Sequence, residues 1–229
     1  LPDRDGRDGA GLMIDLAYGA FLRAEYDVML TWCLEARDAA RRAGERPLAA
    51  TAAAITALGA ASTGAVPVAL EAFDETQALV AAMSGDELAS RPHALQWLCA
   101  AAFYLDRYAD GIAHAEAGLE AVRLSGKSQM FPGMTQAFGT LLVATGRLGE
   151  AAALLDSAVD AARLTDNALG LSWSLLNRSY AAVKAGDVRT ANEAGEEAVS
   201  VTRGLDDGFV KARASAALGA ARLEAGDAP

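Results

Sequence analysis

Any catalytic or metal chemistry in this 229-residue chain must be built from two cysteines, two histidines and thirty carboxylates. Cys33 and Cys99 stand alone in apolar helical stretches, and neither has a second Cys or a His at metal-ligand spacing, so they read as buried, inert thiols. His93 and His114 are far apart in sequence and share no helical face, which leaves no Ser-His-Asp or Cys-His set to assemble. The adjacent acids Glu196 and Glu197, and Asp206 and Asp207, point to different sides of a helix and cannot flank one substrate bond. The run from Ala121 to Ser128 approaches a phosphate-cradling loop through Gly126-Lys127-Ser128. It begins with Ala and follows a helix instead of a strand, so its amides do not converge on a phosphate. Residues 125–132 read instead as a loop between repeats, with Gly126 ending one helix and Pro132 pre-setting the next. No enzyme, cofactor or metal site is expected.

Charge narrows the partners. Twenty basic against thirty acidic residues give −10 at pH 7, and such a field repels nucleic acids and anionic membranes. No apolar run reaches the roughly 18 uncharged residues a spanning helix needs. The opening residues, Leu1 to Gly11, contain no apolar core of a secretory signal. The expected setting is cytoplasmic.

The elements that position everything are helices. About a quarter of the residues are Ala, with Leu, Glu and Arg filling in, and apolar residues recur at i, i+3, i+4 and i+7, as in Ala151, Leu154, Leu155, Ala158, Val159 and Ala162. No sheet is expected. Self-similarity decides the architecture. Turn signals at Gly146, Gly186 and Gly226 recur at one constant interval, with related turns at Asp106, Gly64 and Ala24. Five helix pairs and a final unpaired helix result. Arg41, Arg123, Arg163 and Arg203 each follow a turn at the same offset, placing a cation in the last turn of a second helix, where the macrodipole favours it. Small residues mark close approaches: Ala17, Ala57, Cys99, Gly139, Ser179 and Gly219 on first helices, and Ala151, Ala158, Ala191 and Ala198 on second helices.

This small-residue pattern and the turn Gly146-Arg147-Leu148-Gly149-Glu150-Ala151 resemble the tetratricopeptide family, although the period here, about 40 residues, is longer than that family's. More specifically, Trp97 through Asp227 resembles the helical-repeat region of LuxR-type (MalT-like, large ATP-binding) bacterial transcription regulators. The residues that carry this include Tyr104-Leu105-Asp106-Arg107-Tyr108, Gly126 to Pro132, Leu176-Asn177-Arg178-Ser179-Tyr180 and Leu205-Asp206-Asp207-Gly208-Phe209. That resemblance implies a middle fragment of a longer protein, its nucleotide-binding and helix-turn-helix modules lying outside this chain.

The expected organisation is a flexible segment over 1–10 and one all-α solenoid over 11–229, a tetratricopeptide-like right-handed superhelix of antiparallel pairs. Its first helices would line a concave groove for a small-molecule effector or a peptide. The repeat register turns His93, Gln96, Gln136, Thr140, Trp173, Asn177 and Tyr180 toward that groove, with Trp97 either there or in the core. The alternative is a free-standing peptide-binding scaffold of the same architecture. The last helix carries Val210, Ala214, Ala217, Leu218, Ala221 and Leu223 with no second helix after Gly226, so a homodimer through it is expected. The charge generates a direct test: at physiological salt and micromolar protein the isolated chain should not shift a DNA duplex in a gel, and a retarded band would contradict it.

Overall fold

The computed structural model describes residues 5–126 and 130–227. Among them, twelve α-helices follow one another without a strand: α1 (Arg7–Leu22), α2 (Tyr26–Arg42), α3 (Arg46–Ser62), α4 (Val66–Ala81), α5 (Gly85–Ser90), α6 (His93–Tyr104), α7 (Tyr108–Ser125), α8 (Phe131–Ala144), α9 (Leu148–Leu164), α10 (Ala168–Ala185), α11 (Val188–Thr202) and α12 (Gly208–Glu224). The expected five pairs are α1/α2, α3/α4, α6/α7, α8/α9 and α10/α11, followed by α12. The short α5 is an addition, started by a capping box in which Ser84 and Glu87 exchange side-chain and backbone hydrogen bonds. The chain divides into two compact units, 1–126 and 127–229, where the sequence reading has one domain over 11–229.

One turn geometry repeats throughout. Positions 24, 44, 64, 106, 126, 146, 166, 186 and 226 all have positive φ, and most consecutive ones are evenly spaced. The residue after the left-handed one donates its N–H back to the helix just ended: Glu25 to Ala20, Glu45 to Ala40, Arg107 to Ala102, Arg147 to Leu142 and Asp187 to Ala182, all at 2.9–3.0 Å. That residue is also the N-cap of the next helix. The chain thus reverses between helices through one left-handed residue and one shared cap, satisfying a carbonyl and starting a new helix at once. Glycine holds six of these positions, but Ala24, Asp106 and Asp166 adopt φ of 57°, 55° and 50°.

In unit 1–126, α3 is enclosed. Every residue from Leu48 to Ala60 is buried, and α3 packs on α1, α2, α4 and α6. Its small side chains allow that crowding, and a helix apolar on all sides is stable only when covered on all sides. In unit 127–229, α8, α10 and α12 pack in succession, with α9 and α11 filling the spaces between them.

The small residues fall at close contacts within the pairs. Cys99 donates to the Gly111 carbonyl of α7 at 3.4 Å, and Ser179 donates to the Ala191 carbonyl of α11 at 2.8 Å. A Cβ at Gly139 would stand 2.9 Å from Leu155 of α9. Ala17, Ala57, Ala151, Ala158, Ala191 and Ala198 are all fully buried. Gly219 differs: it is exposed, with nothing within 4 Å of a Cβ built there.

Two expectations change at the ends. The flexible segment 1–10 is helical from Arg7, because Ala10 belongs to the apolar face formed with Met13, Ile14 and Ala17. The strip on α12 expected to form a homodimer is already covered. Val210, Ala214, Ala217 and Ala221 are fully buried within their own unit, where α12 packs on α10 and α11, and only Leu223 stays well exposed. The helix turns its apolar face back onto its own array, as burial of a helical stripe requires.

Turn geometry sets a stability test. Ala24→Gly relieves a left-handed alanine and should stabilise the protein by about 0.5–1 kcal/mol, whereas Gly146→Ala should cost about 1–2 kcal/mol. Gly139→Leu should cost about 1–3 kcal/mol through overpacking against Leu155. Denaturant melts read all three, and an unchanged midpoint for Gly146→Ala would contradict the turn assignment.

Candidate functional site

The residues assigned to the groove fall into one set in each unit. His93, Gln96 and Trp97 lie on α6; Gln136 and Thr140 lie on α8; Trp173, Asn177 and Tyr180 lie on α10.

Trp97 is core. It is 8% exposed and packs edge-on against Tyr18 and Phe21 of α1, with ring centroids 5.6 and 5.5 Å away. These three rings belong to α1 and α6, the first helices that flank α3 in contact with it. The positions on α3 equivalent to the groove set, Thr51, Ala54, Ile55 and Leu58, are all buried. The first-helix face of α3 is therefore closed, while His93 and Gln96 stay partly exposed on α6.

In unit 127–229 the corresponding residues come together on adjoining helices. Thr140 Oγ1 donates to Asn177 Oδ1 at 3.3 Å and lies 3.0 Å from the Gln136 carbonyl, while Asn177 Nδ2 donates to the Trp173 carbonyl at 2.7 Å. Asn177 is buried and its amide is engaged at both ends, so it ties α10 to α8 and offers little to a ligand. Trp173 and Tyr180, two helical turns apart on α10, share a face, are partly exposed and pack against the buried cluster of Leu175, Leu176, Ala214 and Ala217. Gln136 is also partly exposed.

Two residues on α12 extend this face beyond the sequence reading. Phe209 lies 6.0 Å from Trp173, centroid to centroid. Arg213, one repeat beyond Trp173, has a buried Nε without a hydrogen-bond partner among the described residues. The repeat register, extended one helix further, points to Arg213.

The remaining chemistry-bearing groups are occupied elsewhere. Burial pushes the Cys33 thiol up to about 12 and Cys99 higher still, so neither forms a thiolate near neutrality. Glu197 pairs with Arg163 at 2.7 Å, while its neighbour Glu196 faces Arg222 at 3.9 Å. Asp207 caps α12 by accepting from the Val210 N–H at 2.9 Å. Lys127 and Ser128, of the loop that approaches a phosphate cradle, lie outside the described residues, but Gly126 ends α7 at φ 65° and Pro132 sits in the first turn of α8, as the loop reading expects. Among the described residues no group of three His, Cys, Asp or Glu could hold a metal, and no helix is long and apolar enough to cross a membrane.

In comparisons with known proteins, no protein-family model matches the chain, and no curated protein matches it significantly.

His114 supplies a pH test. It is half-buried on α7 and accepts from the Gln77 amide of α4 at 3.1 Å. Burial lowers its pKa below 6.5, against a smaller upward pull from Asp110. The fold thus favours the neutral ring, and this contribution is present above pH 6.5 and lost as pH falls below it. Stability should fall between pH 7 and 5 more steeply in the native protein than in His114→Gln. Parallel pH profiles would contradict this.

Proposed function

We propose that the chain is a non-enzymatic helical-repeat binding module, the effector-sensing part of a LuxR-type transcription regulator. In this reading each unit winds as a tetratricopeptide-like right-handed superhelical array, the setting is cytoplasmic, and DNA and nucleotide are handled by modules outside these residues. The observation that carries the binding function is the face shared by α8, α10 and α12. It presents Gln136, Trp173, Tyr180, Phe209 and Arg213 on adjoining helices braced by the Thr140–Asn177 hydrogen bond.

Partly exposed rings offer large contact area at little entropy cost, and the buried Arg213 Nε offers a donor still to be satisfied. A planar or peptide ligand with an acceptor group fits that chemistry. The resemblance of residues 97–227 to the repeat region of LuxR-type regulators supports the regulatory role. An effector that binds one arrangement of the array better than another would shift the population toward it.

A thermal-shift screen of metabolites and short peptides tests the reading. A ligand at roughly 100 times its dissociation constant adds about 2.7 kcal/mol of stability, and that shift should vanish in Trp173→Ala/Tyr180→Ala. A ligand whose shift survives the double substitution binds elsewhere and removes this face from consideration.

A further inference from the structure

Charge in unit 127–229 is sorted by helix type. Among the first helices, α8 carries no charged residue, α10 only Arg178 and Lys184, and α12 Lys211, Arg213 and Arg222 against a single acid, Glu224. The second helices hold the acids: Glu150, Asp156 and Asp160 on α9 and Glu193, Glu196 and Glu197 on α11, against Arg163 and Arg189. In a chain of net charge −10, the first helices of this unit are thus a cationic layer. Most of its cations turn toward the second helices. Arg178 pairs with Asp156, Arg222 faces Glu196 at 3.9 Å and Lys211 borders α11. Arg–Glu clasps, Arg163–Glu197 here and Arg41–Glu75 in the other unit, likewise join second helices to one another. Lys184, one turn beyond Tyr180, is exposed.

Arg213 differs from all of these. Among the described residues it has no ion pair, although its Nε is withdrawn from solvent by the chain itself. It stands one turn along α12 from Phe209, the ring that meets Trp173 of α10 at 6.0 Å. Glu224, the acid of the layer, lies about three turns further along the helix. Ahead of the helix Asp206 is exposed, and Asp207 is engaged as the cap. A half-buried guanidinium without a carboxylate, beside two touching rings, is completed by an anion with an aromatic body. The spacing favours a small ligand over an extended peptide. Ring and cation are one helical turn apart, and the Asn177 amide that could have read a peptide backbone is consumed by Thr140 and the Trp173 carbonyl.

We infer that the face shared by α8, α10 and α12 takes a small aromatic carboxylate, its ring against Trp173 and Phe209 and its carboxylate on the guanidinium of Arg213. This rests on the binding face proposed above and names the ligand class which that face selects. The cationic layer draws an anion to the first helices, and the acidic second helices repel it. A planar carboxylate meets a guanidinium through two parallel hydrogen bonds, whereas a neutral analogue of the same shape leaves the cation without a counter-charge.

The test compares three related probes, indole-3-acetate, indole-3-acetamide and protonated tryptamine, titrated into the full chain at pH 7 and followed by ligand-observed NMR. The acid should bind with a dissociation constant below about 0.5 mM, the amide about tenfold more weakly and the amine most weakly. Arg213→Gln should bring the acid down to the affinity of the amide while leaving amide binding as it is, which shows that the face of the variant is intact. Trp173→Ala/Tyr180→Ala should remove both. Equal binding of acid and amide, both lost in the double substitution, overturns the ligand class and leaves the face standing. Acid binding that survives the double substitution removes the face and the inference together. No binding of the acid at roughly 5 mM overturns the inference, and the thermal-shift screen then judges the face on its own.

Discussion

The left-handed turn residue is the constraint on which this structure rests. A helix that ends in the left-handed conformation and returns the following N–H to its own last turn reverses direction within two residues, and the same following residue starts the next helix. The turn's geometry leaves little choice in how the next helix departs. Repeated at a near-constant spacing, it lays down the helices of each unit as a succession of antiparallel neighbours, with the buried face of each set by where its turn begins. The non-glycine exceptions, Ala24, Asp106 and Asp166, show how strongly the context imposes the geometry, since an L side chain there opposes it.

From this regularity follows the division of labour between the two kinds of helix. Small residues at the middle of the first helices let the pairs close to contact, through a thiol, a hydroxyl or a bare glycine, depending on the pair. First helices then touch the next first helices, as α3 does α6 and α10 does α12, while second helices are linked by long side chains such as Arg163 and Glu197. Within a unit, a surface made of first helices holds rings and amides in fixed register.

Much of the architecture is legible in the sequence because it is written in a period. Helical spacing, glycine at turns and small residues at fixed offsets are local signals, and they locate five pairs, the final helix and the buried alanines. Other features depend on what the fold brings together. The left-handed states of Ala24, Asp106 and Asp166 carry no glycine to announce them. The Arg–Glu clasps join residues on different helices and are visible only once the second helices are known to be neighbours. Trp97 closes against Tyr18 and Phe21 instead of facing a groove, because α1 lies within reach and presents rings. The covering of α12's apolar strip by its own unit escapes the sequence for a related reason: the pattern along one helix says nothing about how fully α10 and α11 bury the side turned toward them. Of the residues assigned to a groove, the α8 and α10 set is legible as a group, while Arg213 needs the register extended by one more helix.

The central claim, that a recurring left-handed turn organises the chain, is tested most directly by solution NMR on the intact protein. Backbone chemical shifts and scalar couplings at Ala24, Asp106 and Asp166 report φ where no glycine biases the reading. The account requires positive φ at all three, with the N–H groups of Glu25, Arg107 and Asn167 protected from exchange by their return bonds. Negative φ at two of them, or rapid exchange at the following amides, would contradict it.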